Sequence, residues 1–402
     1  MSIDPVPPSG FDPLDTSQGV PHAGYAQLRR EAPVSRTPSG AVFLAGYDDV
    51  LAATKAVDVF RANFREPGVV VPDDEMLISE IPEPRHGQIR RIVNSAVAAH
   101  RIGRIEPFIR ELSAELLERA LAAERVELVQ ELVMPIPTSV IAHLLGAPPA
   151  DYAKWGAWSD EVVQGDYPRL NRTERGEGLK GGHPEFAAYV DRLIQEHRAA
   201  DPPPDDFITR LLTTEVDGVR LNDVELRTLL VFLLLSGNET TRHLLSNLLY
   251  TFASRPDLLV ALQRRPEYAH NAVEESLRMD SPVSLLMREC IQDTEVRGVP
   301  IRKGEQVAFG VASANRDEGH FEAPDEFQLD RARPKAHIAF GGGPHVCPGA
   351  SLARLEGRVL LEILLEKVGA IQLEPDYVWE KVPVFWANGP GGLPAQLTPR
   401  AS

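Results

Sequence analysis

Phe340-Gly341-Gly342-Gly343-Pro344-His345-Val346-Cys347-Pro348-Gly349 is the stretch whose reading decides the fold. Three consecutive glycines reach backbone conformations closed to other residues and let a neighbouring group approach closely. A helical pattern over 349–368 follows, so Cys347 stands at a helix N-terminus, where unpaired N–H groups and the helix dipole favour a thiolate. Such a thiolate serves as a nucleophile or a metal ligand; a buried thiol beside a turn is the third reading. The chain has only one other cysteine, Cys290, in 402 residues. That excludes a disulfide scaffold and a four-cysteine zinc site.

Upstream, the pattern over 223–254 predicts a long helix, capped by Asn222 with Glu225 three residues on and stopped by Pro256. Its apolar run 229–235 reads as buried and is interrupted by Ser236-Gly237-Asn238-Glu239-Thr240-Thr241. A mid-helix glycine costs roughly 1 kcal/mol against alanine, and a buried carboxylate costs more unless satisfied. Such a break marks either a functional site or a polar face turned to solvent. Between the two segments, Glu275 and Arg278 share a helix face at i and i+3 and can pair, as residues do on many helices. Residues 104–125, 184–199 and 266–279 also read as helices. Strand signals are short, over 41–44, 295–301 and 306–310. The fold class is therefore mainly α with a small β portion.

The net charge of −16 excludes a nucleic-acid binder. The first thirteen residues lack a basic region followed by an apolar one, so no signal peptide is expected. The longest apolar run is seven residues, far below the ~20 that span a bilayer. These readings predict a soluble, cytoplasmic protein. Length alone suggests two to three domains.

In this order and at these separations, the signals resemble the cytochrome P450 haem-thiolate monooxygenases. Phe-x-x-Gly-x-x-x-Cys-x-Gly matches at Phe340, Gly343, Cys347 and Gly349; the acid–alcohol motif of the long helix matches at Gly237, Glu239 and Thr240. Glu-x-x-Arg matches at Glu275 and Arg278, a meander arginine falls on Arg331, and a His-x-x-x-Arg pattern falls on His86 and Arg90. The resemblance spans roughly residues 12–399 and is to the soluble bacterial class. It implies one P450 domain over 1–402, with β structure mainly in 30–60, 285–312 and 370–400 and a long central helix crossing the haem.

By the same resemblance, Cys347 is the thiolate ligand of the iron of haem b, which favours O–O cleavage once O2 binds. His86, Arg90, Arg288 and His345 hold the haem propionates, cations and donors against anions; Phe340, Gly341 and Gly349 complete the haem-binding loop. Glu275, Arg278 and Arg331 form a structural ion network. Glu239 and Thr240, with Gly237, deliver protons, the hydroxyl holding water and the carboxylate linking it to solvent. Substrate positions fall in 69–78, 233–237, 283–286 and 384–386, including Leu233, Ser236, Val283, Leu286 and Phe385. They are mostly apolar, as in a pocket for a lipophilic molecule, and equally as in a plain core.

Pro348 stands where the family more often has leucine. It lacks an N–H, which implies a more electron-rich thiolate. No flavin or iron–sulfur motif is present, so electrons come from a separate ferredoxin, with NAD(P)H acting only through the redox partners. Two basic groups, Arg85, Arg90, Arg91, Arg101 and Arg104, and Arg331, Arg333, Lys335, Arg354 and Arg358, are expected to form a patch that steers an acidic ferredoxin to a monomeric enzyme. A haem sensor or carrier, or a peroxide-using peroxygenase, are the alternatives; neither needs the Glu239–Thr240 pair. A Gly-x-Gly-x-x-Gly at Gly176, Gly178 and Gly181 lacks the strand before it that a dinucleotide site requires. Residues 164–182 are a loop or a lid.

Overall fold

The computed structural model describes residues 11–62, 72–98, 102–164 and 184–401. In chain order the helices are α1 (His22–Glu31), α2 (Tyr47–Lys55), α3 (Arg85–Ala96), α4 (Glu106–Ala122), α5 (Pro135–Leu144), α6 (Tyr152–Gln164) and α7 (Pro184–Ala199). They continue as α8 (Phe207–Thr213), α9 (Asp223–Ser254), α10 (Pro256–Arg264), α11 (Ala269–Met279), α12 (Val311–Ala314) and α13 (Ala350–Lys367).

The long helix α9 matches its expected bounds because its ends are chemically marked. Asn222 accepts from the Glu225 N–H and the Glu225 side chain accepts from the Asn222 N–H, a complete capping box. Pro256 then starts α10. At ~1.5 Å per residue α9 runs nearly 50 Å, and α5, α6, α7, α11 and α13 all pack on it. Leu230, Val231 and Leu234 are fully buried there, within an apolar core that extends through α4, α5, α7 and α13.

The β structure is peripheral. β1 (Val34–Arg36), β2 (Val42–Leu44), β3 (Phe60–Arg61), β5 (Leu286–Cys290) and β8 (Gln306–Phe309) form a sheet of order β1-β2-β8-β5-β3, antiparallel except for β2 and β8. β4 (Val126–Glu127), β9 (Val368–Leu373) and β10 (Pro394–Pro399) form a second sheet. The strand expected over 295–301 is a hairpin, β6 (Thr294–Val296) and β7 (Val299–Ile301). Arg297 and Gly298 sit at φ 50° and 81° between them, the turn that suits the twist of paired strands. Proline explains two shifted starts: Pro266 opens a 3-10 turn before α11, and Pro107 lies in the first turn of α4.

The predicted ion network is present and buried. Glu275 accepts from Arg278 at 2.8 and 2.9 Å, from Arg331 Nε at 2.9 Å and from the Gln328 N–H at 3.0 Å. The two guanidiniums also donate to the carbonyls of Asn315, Glu322, Pro324 and Glu326, tying α11 to the segment 315–331. Burial raises the Glu275 carboxyl, but Arg278, the Gln328 N–H and Arg331 outweigh it and hold it below the usual range. Glu275→Ala leaves two buried cations uncompensated and is expected to cost about 3–5 kcal/mol in denaturant unfolding. A folded-state pKa below the unfolded value stabilises above the carboxylate range and is lost as pH falls through it. The wild type should therefore lose stability on acidification more steeply than Glu275→Gln, measured by urea midpoints across that range.

Candidate active site

The loop before α13 is shaped by close approach to α2. A Cβ on Gly342 would lie 2.6 Å from Thr54 Oγ1, and one on Gly343 (φ 63°) would lie 2.7 Å from the Thr54 carbonyl oxygen. The loop closes on itself, the Cys347 N–H donating to the Phe340 carbonyl at 2.9 Å. Arg354, one turn into α13, lies over the Phe340 ring at 4.5 Å. Glu274, not singled out in the sequence, holds Arg354 at 2.7 and 3.0 Å and His337 at 2.9 Å, and so anchors the loop to α11. Its signal was a second carboxylate beside the Glu-x-x-Arg pair, but its partner Arg354 lies 80 residues on in the chain.

Cys347 is accessible, whereas Cys290 is fully buried in β5. Desolvation by neighbouring atoms holds the Cys347 thiol above its ordinary value, with the Gly349 N–H, Arg90, the Ala350 N–H and Arg354 pulling against it. Pro348 contributes no donor, and the Gly349 and Ala350 amides are the ones near enough to favour the thiolate.

Four cationic or donor side chains converge beside it. His86 and Arg90 come from α3, Arg288 from β5 and His345 from the loop. The His86 and His345 rings stand 4.1 Å apart, and Arg90 donates to the Val346 carbonyl. His86 Nδ1 pairs with Glu83 at 2.8 Å, while the buried Nε2 has no partner. Burial lowers Arg288 to about 10. His345 is lowered to about 4 by burial and by the charges of His86, Arg288 and Arg90. Cations and donors crowded around one imidazole fit a dianionic partner carrying two carboxylates, and an orphaned imidazole nitrogen supplies a further donor. The donor set therefore fits haem, an anionic ligand whose iron takes a thiolate.

On α9, Gly237 faces a close approach of α5: a Cβ there would lie 2.9 Å from Ile141 Cδ1. The Thr240 hydroxyl donates to the Ser236 carbonyl at 2.7 Å. Glu239 is 3 % exposed and does not reach solvent as expected. It is bound by Arg242 at 2.6 Å and lies 3.4 Å from His243 Nε2.

Leu233, Ser236, Val283 and Leu286 are half-buried. Phe385 is 51 % exposed and does not form a packed wall. The expected positions 69–71, most of the segment 164–182 and the glycine motif at Gly176, Gly178 and Gly181 lie outside the described residues. The basic patch is largely neutralised, because arginines in an acidic chain find carboxylates. Arg90 and Arg331 are buried, and Arg85, Arg91, Arg104, Arg354 and Arg358 pair with Glu225, Asp217, Asp205, Glu274 and Glu106. Arg333 and Lys335 remain exposed, and Arg101 is outside the described residues.

Residues 167–369 match the cytochrome P450 family. Linalool 8-monooxygenase of Pseudomonas putida is 33% identical over 377 residues, covering 89% of this chain and 91% of that protein. The structure of cytochrome P450 CYP109Q5 from Chondromyces apiculatus superposes with a TM-score of 0.83 at 33% identity, covering 95% of this chain and 96% of that one. The Bacillus megaterium CYP109E1 complex with testosterone gives 0.83 at 30% identity, over 94% and 99%. The chain belongs to the cytochrome P450 family, the haem-thiolate monooxygenases, and has the P450 fold. Among the described residues no helix is long and apolar enough to cross a membrane.

The two outer glycines of the loop separate strain from collision. Gly341 (φ 73°) has nothing nearer a built Cβ than 4.0 Å, whereas Gly343 meets the α2 backbone. Gly341→Ala is expected to cost about 1 kcal/mol and Gly343→Ala about 2–3 kcal/mol. Thermal midpoints of the two haem-loaded variants check the order.

Proposed function

We propose that Cys347 is the proximal ligand of haem iron and that His86, Arg90, Arg288 and His345 hold the propionates, with Phe340, Gly341 and Gly349 shaping the loop. The observation that carries this reading is the convergence of His86, Arg90, Arg288 and His345 beside an accessible cysteine at the start of α13, with a buried imidazole nitrogen left without a partner. Haem bound to a thiolate supplies the activation of O2 by two electrons. The protein's part is positional. Glu274 and Arg354 keep the loop rigid, so the sulfur stays aimed. Thr240 keeps hydroxyl lone pairs free while donating to the Ser236 carbonyl, so it can accept from water. Glu239, held ionised by His243 and Arg242 against its burial, can take and return a proton.

The substrate is read as a lipophilic small molecule bound against Leu233, Ser236, Val283 and Leu286, and oxygen insertion as hydroxylation or epoxidation. A monooxygenase named for linalool and a structure holding testosterone are both similar to this chain and both concern lipophilic molecules. The chain is taken to act as a single domain over 1–402, monomeric and cytoplasmic, with electrons from a ferredoxin. A sensor, carrier or peroxygenase is disfavoured by Glu239 and Thr240, which such proteins do not need.

The reduced protein with carbon monoxide should show the long-wavelength Soret band of thiolate ligation, and Cys347→Ser should abolish it; retention of the band in that variant would remove Cys347 from the iron. Thr240→Ala is expected to keep the band but shift electrons from product to peroxide, by about tenfold or more in coupled rate. Peroxide assay per electron pair checks this, and unchanged coupling contradicts the proton-delivery role. Pro348→Leu adds an N–H near a sulfur now served by residues 349 and 350. Its ferric/ferrous potential should rise by the equivalent of about one weak hydrogen bond, near 1 kcal/mol, in a spectroelectrochemical titration.

A further inference from the structure

Asn238 stands in the middle of the segment that interrupts the apolar run of α9, and it is fully buried. Its amide is used at both ends. Oδ1 accepts from the Thr138 hydroxyl of α5 at 2.9 Å, and Nδ2 donates to the Ser159 hydroxyl of α6. Thr138 and Ser159 are buried as well. One residue earlier on α9, α5 is so near that a Cβ on Gly237 would lie 2.9 Å from Ile141 Cδ1. α6 approaches the same place, because a Cβ on Gly156 would lie 3.8 Å from Thr138 Cγ2. Three helices therefore meet on one amide.

Stability alone does not explain this choice of residue. Buried polar partners that satisfy one another are nearly neutral against apolar groups of the same shape. The Thr138 hydroxyl also has the Met134 carbonyl one turn back, at 3.0 Å, and a helical serine has the same recourse to its i−4 carbonyl. What the amide adds is direction. Leu230, Val231 and Leu234 are buried on more than one side of α9, and apolar contacts of that kind set no single rotation about the helix axis. Hydrogen bonds to two different helices do, because they weaken steeply with misalignment. A single buried asparagine fixes the register of coiled coils on the same ground. At about 3.6 residues per turn, Asn238 turned to α5 and α6 puts Thr240 on the opposite side of α9. Arg242, one turn on, returns to the Asn238 side. There Arg242 Nη1 stands 3.9 Å from Met134 Sδ, while Nη2 holds Glu239 at 2.6 Å. The rotation of α9 thus sets both where the Thr240 hydroxyl points and where Glu239 is held.

We propose that Asn238 is a positioning residue, a clamp to α5 and α6 that fixes the rotation of α9 and with it the aim of Thr240 and Glu239; the proposal rests on the reading of that pair as groups that act beside the haem. Asn238 moves no proton. It acts through the helix that carries the pair. An asparagine suits the task because its amide has a donor and an acceptor on one short stem, so a single residue bonds to each neighbouring helix. Thr138 is the partner on which the clamp is separable from packing. Its hydroxyl takes Asn238, and its methyl faces Gly156 of α6.

Thr138→Val keeps the shape and removes the hydroxyl, whereas Thr138→Ser keeps the hydroxyl and removes the methyl. The test uses the haem-loaded full chain with a surrogate ferredoxin and reductase, and the carbon monoxide Soret band as the control for folding. Thr138→Val and Asn238→Ala are expected to lower the coupled rate about tenfold, with more peroxide per electron pair and KM unchanged. Thr138→Ser should keep wild-type coupling. The opposite order, with Thr138→Ser uncoupled and Thr138→Val not, is what a packing role gives and overturns the clamp. Wild-type coupling in both Thr138→Val and Asn238→Ala, when Thr240→Ala does uncouple, overturns it too and leaves the acid–alcohol reading standing. A second readout needs no turnover. In the infrared spectrum of the reduced carbon monoxide complex, the C–O stretching band should stay as narrow as in the wild type for Thr138→Ser and broaden for Thr138→Val and Asn238→Ala. An unchanged band in both of the latter overturns the clamp. Unchanged coupling in Thr240→Ala removes the proton-delivery reading, and the infrared band then decides the clamp by itself.

Discussion

Two adjacent carboxylates at the middle of α11 hold the Cys347 loop in place. Glu275 binds Arg278 and Arg331 and fixes the irregular segment 315–331; Glu274 binds His337 and Arg354 and fixes the loop and the start of α13. Both are buried, and neither would be tolerable there without its cations, because an unpaired buried charge costs several kcal/mol. The arrangement is mutual. Arg278 donates to carbonyls of a stretch without regular structure, so the ion pair also serves backbone groups that no helix or strand satisfies. The loop can stay open and glycine-rich because its two ends are tied.

On the other side of that loop the electrostatics are unbalanced. His86, Arg90, Arg288 and His345 crowd together with Glu83 as the carboxylate partner of one of them. The charges of its neighbours bear on His345, and an anion held there, as proposed for the haem propionates, would stabilise the folded chain by the usual coupling between stability and binding.

Helix α9 combines the same tension with length. Its first half is apolar and sits in the core; its middle accepts a glycine to let α5 approach and a carboxylate held by Arg242. Its second half then carries polar residues along a buried face.

Much was legible in the sequence where local chemistry marks an element. The bounds of α9 follow from a capping box and a proline, and Phe340 to Gly349 declares a glycine loop before a helix whatever surrounds it. Spacing put Glu275 and Arg278 on one helix face, as it does many surface pairs, while Arg331 and the burial of all three came from the fold. The division of 295–301 into a hairpin could not be read, because it depends on positive φ at Arg297, a residue that rarely adopts it. Only the tertiary structure decided which charges meet. Arginines that formed a basic patch by proximity in sequence are neutralised by carboxylates far away in the chain, from Asp205, Asp217 and Glu225 to Glu274. The same holds for the burial of Glu239 and the exposure of Phe385. Helix periodicity and capping act over a few residues and are written in the chain; ion pairing and burial act through space, and folding alone chooses the partners.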